Sequence, residues 1–375
     1  MSQKLRFIDP QASSARFFPT LRKRVDAYFT DHQLSKNANG LMWFKIAFFL
    51  GGMMLFYGLL MSNLFTPWQM LGLAIGLGMF LAFIGFNVTH DAIHGSLSDN
   101  PVVNQIFSLV FNVIGANAYV WSITHNVVHH TYTNIPGHDE DIEVAPGLVR
   151  LSPTDELKPI HRFQHFYAFA LYGLASLSWV FRKDYVKFFK DKIGHYDNSN
   201  RPAKEVFNLF FFKAVYYTVF IVLPLVFLNI AWWQFIIGFV AMHMAEGIVL
   251  GLVFQLAHVV EGTAFPLPND EGNIEDAWAA HQLRTTANFA RKNPIVNFLC
   301  GGLNLQVEHH LFPKICHIHY VALSEIVKQT AEEFDLPYIE NETFGSALVS
   351  HYNMLKKFGH DDYVLSLQPS LEKVY

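Results

Sequence analysis

The chain has 375 residues, 51% of them hydrophobic and 36 of them Phe, with a mean hydropathy of +0.21. Only 15% are charged and the net charge is −4, against about 25% charged in a soluble domain, so composition excludes an ordinary soluble globule, and no basic stripe suggests a nucleic-acid binder. Two cysteines, Cys300 and Cys316, make neither a disulfide framework nor a zinc ribbon, whereas 19 histidines are unusually many.

The first forty residues are polar and basic, without an apolar run of the kind a cleavable signal needs. A membrane-spanning helix needs about 20 mostly apolar residues. Four segments meet this: Leu41–Asn63 and Trp68–Val88, joined by the tight turn LFTP, then Val206–Leu228 and Ala231–Ala257, joined by NI. Each pair reads as a helical hairpin. Trp43, Trp68, Trp232 and Trp233 stand near the ends, where interfacial aromatics are expected. Two weaker runs, Val102–Ile123 with its three asparagines and the short Phe166–Phe181, read as helices lying on the membrane surface or packed on the cytosolic part.

Charge sets the orientation. Lys4, Arg6, Arg16, Arg22, Lys23, Arg24 and Lys36 precede the first span, and the long central loop carries Arg150, Lys158, Arg162, Arg182, Lys183, Lys187 and Lys190. The short turns carry no Lys or Arg, so both termini and the long loop are expected in the cytoplasm. The expected architecture is an all-α integral membrane protein: four transmembrane helices in two hairpins, with a helical cytosolic cap. Residues 1–40 form a cytosolic N-terminal segment, 41–333 the main domain, and 334–375 a polar cytosolic tail.

The histidines cluster. THDAIHGS places His90 and His94 four apart, on one face of a helix. WSITHNVVHH repeats that spacing with His125 and His129, and His130 follows about 100° further round, able to reach a second metal. NLQVEHHLFP holds Gln306 and the adjacent pair His309 and His310, which point apart. His258 ends the last span, as a ligand or as a helix-capping residue. With four spans all these groups lie on one side; if Val102–Ile123 crossed, the first two would be separated. Imidazole suits Zn, Cu, Fe and Ni, and a closed structural zinc usually recruits Cys. Seven or eight histidines without a Cys pair fit two metals with open positions, suited to O₂, and iron is the expected metal. Asp91, Asp139, Asp141 and Glu308 stand close enough in sequence to steady ligand imidazoles, or are ordinary solvated acids. His243 and Glu246 lie inside the fourth span, as lining of an acyl-chain tunnel or as a buried pair between helices. An apolar cavity between spans and cap would hold a lipid chain at about 0.8 kcal/mol per CH₂.

HDAIH, HNVVHH and QVEHH together resemble the three histidine boxes of the membrane-bound fatty acid desaturases, over Asn87 to Pro313. HHTYTNIPGHDEDIE and QVEHHLFPKICHIHY are similar to the bacterial acyl-CoA or acyl-lipid branch related to front-end, delta-6-like enzymes, whose third box begins with Gln. The resemblance implies a di-iron centre, O₂ and two electrons, and a cis double bond introduced into an acyl chain. It carries to His90, His94, His125, His129, His130, His309 and His310 as ligands, to His258 as the extra histidine after the last span, and to Gln306 as a ligand-equivalent position. His281, in AAHQLRTTANF, is a further candidate beside the site. No HPGG haem motif is present, so the expected electron donor is a separate ferredoxin or cytochrome b5, and the expected location is a membrane, the inner one in a bacterial cell. A lipid hydroxylase, ketolase or sphingolipid desaturase on the same scaffold is the nearest rival reading. A His-rich metal transporter is the rival of a different class, and it would place its ligands at the bilayer midplane.

Overall fold

The computed structural model describes residues 5–9, 14–141, 145–152 and 154–360. The expectations for residues 1–4, 10–13 and 361–375 therefore lie outside the described residues.

The described chain is mostly helical. An amphipathic helix α1 (Phe17–Asp31) leads to α2 (Gly40–Met61), which starts where the side chain of Asn39 accepts from Met42 N at 3.2 Å. A short turn follows, and Pro67 opens α3 (Pro67–His94), where Gln69 Oε1 accepts from Thr66 N at 2.9 Å. Proline at the first helical position and a reciprocal cap are the chemistry that starts a helix sharply. Then come α4 (Pro101–Val113) and α5 (Ala118–Tyr132), bent by 110° at their junction. Beyond them lie α6 (Gln164–Gly173) and α7, a run over residues 175–189. The second long pair is α8 (Ala203–Phe227) and α9 (Trp232–His258), and shorter helices follow, among them α10 (Trp278–Thr285), α11 (Gln306–Leu311), α12 (Tyr320–Glu333) and α13 (Phe344–Phe358).

Helices α2, α3, α8 and α9 are each long and apolar enough to cross a membrane, within a few residues of the expected bounds. Their core joins Phe49, Leu77, Leu81, Phe220 and Met242, while Trp68, Trp232, Phe207 and Phe210 stay exposed. The two far turns are tied together: Asn63 donates to Phe227 O at 2.8 Å and accepts from Asn229 N at 2.8 Å. α3 and α9 meet at Gly78, where a side chain would run into the carbonyl of Met242.

The run Val102–Ile123 becomes α4 and the start of α5. At about 1.5 Å per residue, the 13 residues of α4 reach only ~20 Å, short of a ~30 Å hydrocarbon layer. The turn is built by Gly115 at φ +106°, where any Cβ would meet Tyr216 and Val180, and by Asn112, whose side chain accepts from Ala118 N at 2.7 Å. The chain thus turns back instead of continuing.

The cap has its own core. Phe17, Leu21 and Val25 of α1 pack on Leu283, Leu305, Leu323 and Val327, and Arg24 ties α1 to Glu333 of α12 at 2.7 Å. Small parallel pairings fasten the ends: β1 (Arg6–Phe7) to Asn273–Ile274, and Asn288–Phe289 to Glu340–Asn341. The segment after residue 334, expected as a polar tail, contains α13. Its face of Ala347, His351, Met354, Leu355 and Phe358 is buried, and His351 reaches Val259 O at 2.7 Å and Tyr172 OH at 2.9 Å. The mixed composition of that helix hid a 3.6-residue apolar stripe.

Candidate metal centre

The three histidine clusters converge at one end of the bundle. α3 brings His90 and His94, whose rings stand 4.6 Å apart. α5 brings His125, His129 and His130, the end of α9 brings His258, and α11 brings His309 and His310. One nitrogen from each of His90, His94, His125 and His309 lies within 4.8 Å of the others; the same holds for His129, His258 and His310, and for His130, His309 and His310. Two adjoining groups, linked through His130, His309 and His310, is the arrangement expected of a two-metal site.

The local backbone explains the partition. Residues Gly85–Thr89 of α3 and Ser122–His129 of α5 are π-helical, a wider winding that recurs at functional sites. This corrects the expectation from ordinary helical spacing that His125 and His129 share one face toward one metal. The widened turn sends His125 to the first group and His129 to the second, and lets His130 face His125 with Nε2 to Nε2 at 3.2 Å. The adjacent pair His309 and His310 does diverge, its rings 84° apart.

Tautomers follow from the outer partners. His129 Nδ1 donates to Asp139 at 2.8 Å, His310 Nδ1 to Gln282 Oε1 at 2.8 Å, and His258 Nδ1 lies 3.4 Å from Thr285 O. His125 Nδ1 faces Asp141 at 3.3 Å. Each Nδ1–H so engaged leaves Nε2 with a lone pair. The Nε2 atoms of His94, His129, His258, His309 and His310 are buried without a hydrogen-bond partner among the described residues, as are both ring nitrogens of His90. Buried polar atoms are rarely orphaned, and so many converging imidazole lone pairs fit divalent metal ions. Burial and the neighbouring histidines push His125, His130, His309 and His310 well below the usual histidine range, which keeps them neutral, as ligands must be. Burial opposes the charged form of His129 too, but Asp139 beside it prevails and raises it.

The remaining candidates divide. Asp139 and Asp141 face imidazoles as expected. Asp91 faces the imidazole of a different histidine, outside the converging ones: its side chain, about 100° round the helix from that of His90, accepts from His317 Nδ1 at 2.5 Å and from Ser96 Oγ at 3.1 Å. His317 Nε2 meets Lys45 Nζ at 2.7 Å, so an ammonium already supplies the cation beside Asp91, Cys316 and His317. Glu308 turns away from imidazole, to Asn288 at 2.8 Å and Tyr338 OH at 2.9 Å, and burial raises it to about 7. Gln306 is buried with both amide atoms unpartnered among the described residues. His281 stands outside the three groups, its ring 5.1 Å from that of Phe7. Its neighbour Gln282 is the residue that reaches the centre, and nothing in its local sequence marked it. Thr133 supports it, donating to Gln282 Oε1 at 2.9 Å. His243 and Glu246 form a buried polar knot in place of a tunnel wall: His243 meets Ser176 Oγ at 2.9 Å, Tyr216 OH at 2.8 Å and Glu246 at 3.3 Å, and neither residue lines the large cavities of the described chain.

One of those cavities, of about 650 Å³, reaches the metal centre. Thr89, His90, Trp121, Phe254 and Gln255 form its inner wall, with Trp121 stacked on the His125 ring at 4.2 Å. The size is that of a small-molecule site.

A sequence model described as fatty acid desaturase matches residues 66–342. The chain is 40% identical over 349 residues to an sn-1 linoleoyl-lipid 6-desaturase from Synechocystis sp., covering 92% of this chain and 95% of that protein. It is 36% identical to an sn-1 linoleoyl-lipid 6-desaturase from Arthrospira platensis, covering 92% and 93%. It is 34% identical to an acyl-lipid (8-3)-desaturase from Physcomitrium patens, covering 94% of this chain and 74% of that one.

Proposed function

The chain belongs to the fatty acid desaturase family, and from that premise we propose that it is a front-end, delta-6-like acyl desaturase working at two histidine-held irons. It is an oxidoreductase acting on fatty acyl chains, and its family uses iron and O₂. The observation that carries the finer reading is the convergence of unpartnered imidazole nitrogens at the inner end of an apolar cavity.

The proposed ligands are His90, His94, His125, His129, His130, His258, His309 and His310, with Gln306 beside them. Iron with O₂ supplies the oxidising power for the overall change, in which –CH₂–CH₂–, O₂, two electrons and two protons become –CH=CH– and two waters. The chain's own residues do the rest. Trp121 and Phe254 exclude water and hold the methylenes against the inner wall, so that distance from the head group selects the carbon. Asp139, Gln282 and the Thr285 carbonyl fix the ring planes of His129, His310 and His258.

The topology proposed with this activity is four spans in two hairpins, with the boxes, both termini and the cap in the cytoplasm. It is supported by the apolar exposed faces of the long helices and by the return of α4 and α5, which keeps the first two boxes together. Electrons come from a separate donor, a ferredoxin or a cytochrome b5. The test is a fatty acid profile by gas chromatography of a host with and without the gene. A new double bond without added oxygen is the expected result, and a hydroxylated product would favour the rival chemistry. His129→Ala and His309→Ala abolish the product while the protein remains in the membrane; wild-type product from either removes that residue from the ligand set. Iron analysis of the active protein gives two atoms per chain.

A further inference from the structure

The cavity that reaches His90 has a strongly charged outer end. Arg182, Lys183 and Lys187 of α7, and Lys190 just after it, all line it. The helix is anchored beside them, where the buried Asp184 accepts from Lys213 Nζ of α8 at 2.8 Å. Among the described residues two carboxylates, Glu140 and Asp141, share this end. Glu140 pairs with Lys187 at 3.0 Å and with Lys190 at 4.0 Å. Asp141 is turned to His125 at 3.3 Å. Burial, with Lys187 next to it, lowers Lys183 to about 8, although Asp141, Asp184 and Glu140 oppose the shift. Its ammonium rests over the Trp179 ring at 5.7 Å.

One cavity thus runs from His90 of the histidine cluster, past aromatic walls, to a mouth where, among the described residues, four cations meet Glu140, paired to two of them, and Asp141. An acyl chain filling it leaves its head group at that mouth. An uncharged sugar would leave the cations uncompensated, which is costly in a half-buried site. A phosphate supplies the missing charge and matches the guanidinium fork.

We propose that the mouth formed by Arg182, Lys183, Lys187 and Lys190 binds the phosphate of the substrate's head group. The acyl donor is then phosphate-bearing, a phospholipid or an acyl-CoA, and not a neutral glycolipid. This rests on the desaturase reading.

The test compares three donors carrying the same linoleoyl chain: a phosphatidylglycerol, the CoA thioester and a monogalactosyl diacylglycerol. The iron-loaded wild type has the lowest KM for one or both phosphate-bearing donors, and their order says which source of phosphate is used. In the exposed double variant Arg182→Gln, Lys190→Gln, the preference for phosphate over galactose falls about tenfold or more. The Lys204→Gln control, a charge removed from the exposed start of α8, keeps the wild-type preference. A wild type that prefers the galactolipid, or a double variant that slows all three donors equally, overturns the proposal. A readout without turnover separates the two readings: the single-chain phosphatidylglycerol raises the melting temperature of the wild type more than the single-chain galactolipid does, and the double variant loses that difference. If no donor gains a double bond but this difference is present, the desaturase reading falls and the phosphate site stands. Equal shifts from both lipids overturn the site itself.

Discussion

At the scale of single residues, the metal centre depends on outer partners as much as on the histidines. Asp139 holds the Nδ1–H of His129 with Oδ2, and the same oxygen accepts from Asn134 N at 2.9 Å while Oδ1 accepts from Asp141 N at 3.0 Å. The carboxylate is therefore fixed from three sides and aims the ring. Asp139→Asn removes its charge and lets an amide N–H oppose the imidazole N–H. Iron affinity falls by about 10–100-fold, to be measured by chelator competition, and unchanged affinity would show that the ring is aimed by packing alone. Box residues were legible in the sequence because helical spacing shows them. Gln282 and His317 were not, since each reaches the centre or its flank through a contact across more than twenty residues of chain.

At the scale of elements, two devices place the histidines. The first is the π-helical widening in α3 and α5, which redistributes His125, His129 and His130 between two groups. The second is close helix packing under the centre. α3 lies against α9 where Gly78 faces the backbone carbonyl of Met242, and a backbone group cannot swing aside as a flexible side chain would. Gly78→Leu forces the helices apart at a cost of about 1–3 kcal/mol, read as a lower melting temperature in detergent. Because His90 and His94 end α3 and His258 ends α9, the same variant loses iron; a variant with full melting temperature and iron content would show that the helices are free to separate. The four long helices were readable from hydropathy, which needs no partner. The 110° turn between α4 and α5 was not, since it depends on Gly115 meeting Tyr216 and Val180 from other parts of the chain.

At the scale of the whole molecule, the buried histidines couple folding to pH. Unfolded histidines titrate near 6.5, whereas His125, His130, His309 and His310 are held well below that when folded. As pH falls through about 6.5 the unfolded chain takes up protons that the folded one refuses, so stability drops. His129, raised by Asp139, and Glu308, raised by burial, act in the opposite sense, but four groups outweigh two. The metal-free protein therefore melts at a lower temperature at pH 5.5 than at pH 7.5, and bound iron adds to that slope because protons compete for its ligands. A flat profile would mean that the histidines are hydrated and not packed together.

Composition and short-range spacing were enough to read four long apolar helices, a charge asymmetry and three histidine boxes spaced as metal ligands are. These are properties of a segment on its own, set by transfer energies and by the helical repeat. Only the folded chain shows which histidines stand together, that Asp91 serves His317 while Gln282 serves His310, that α13 packs where a tail was expected, and that a basic mouth and His90 share one cavity. Each of these is a contact between residues distant in sequence, and no local pattern encodes a distance across space.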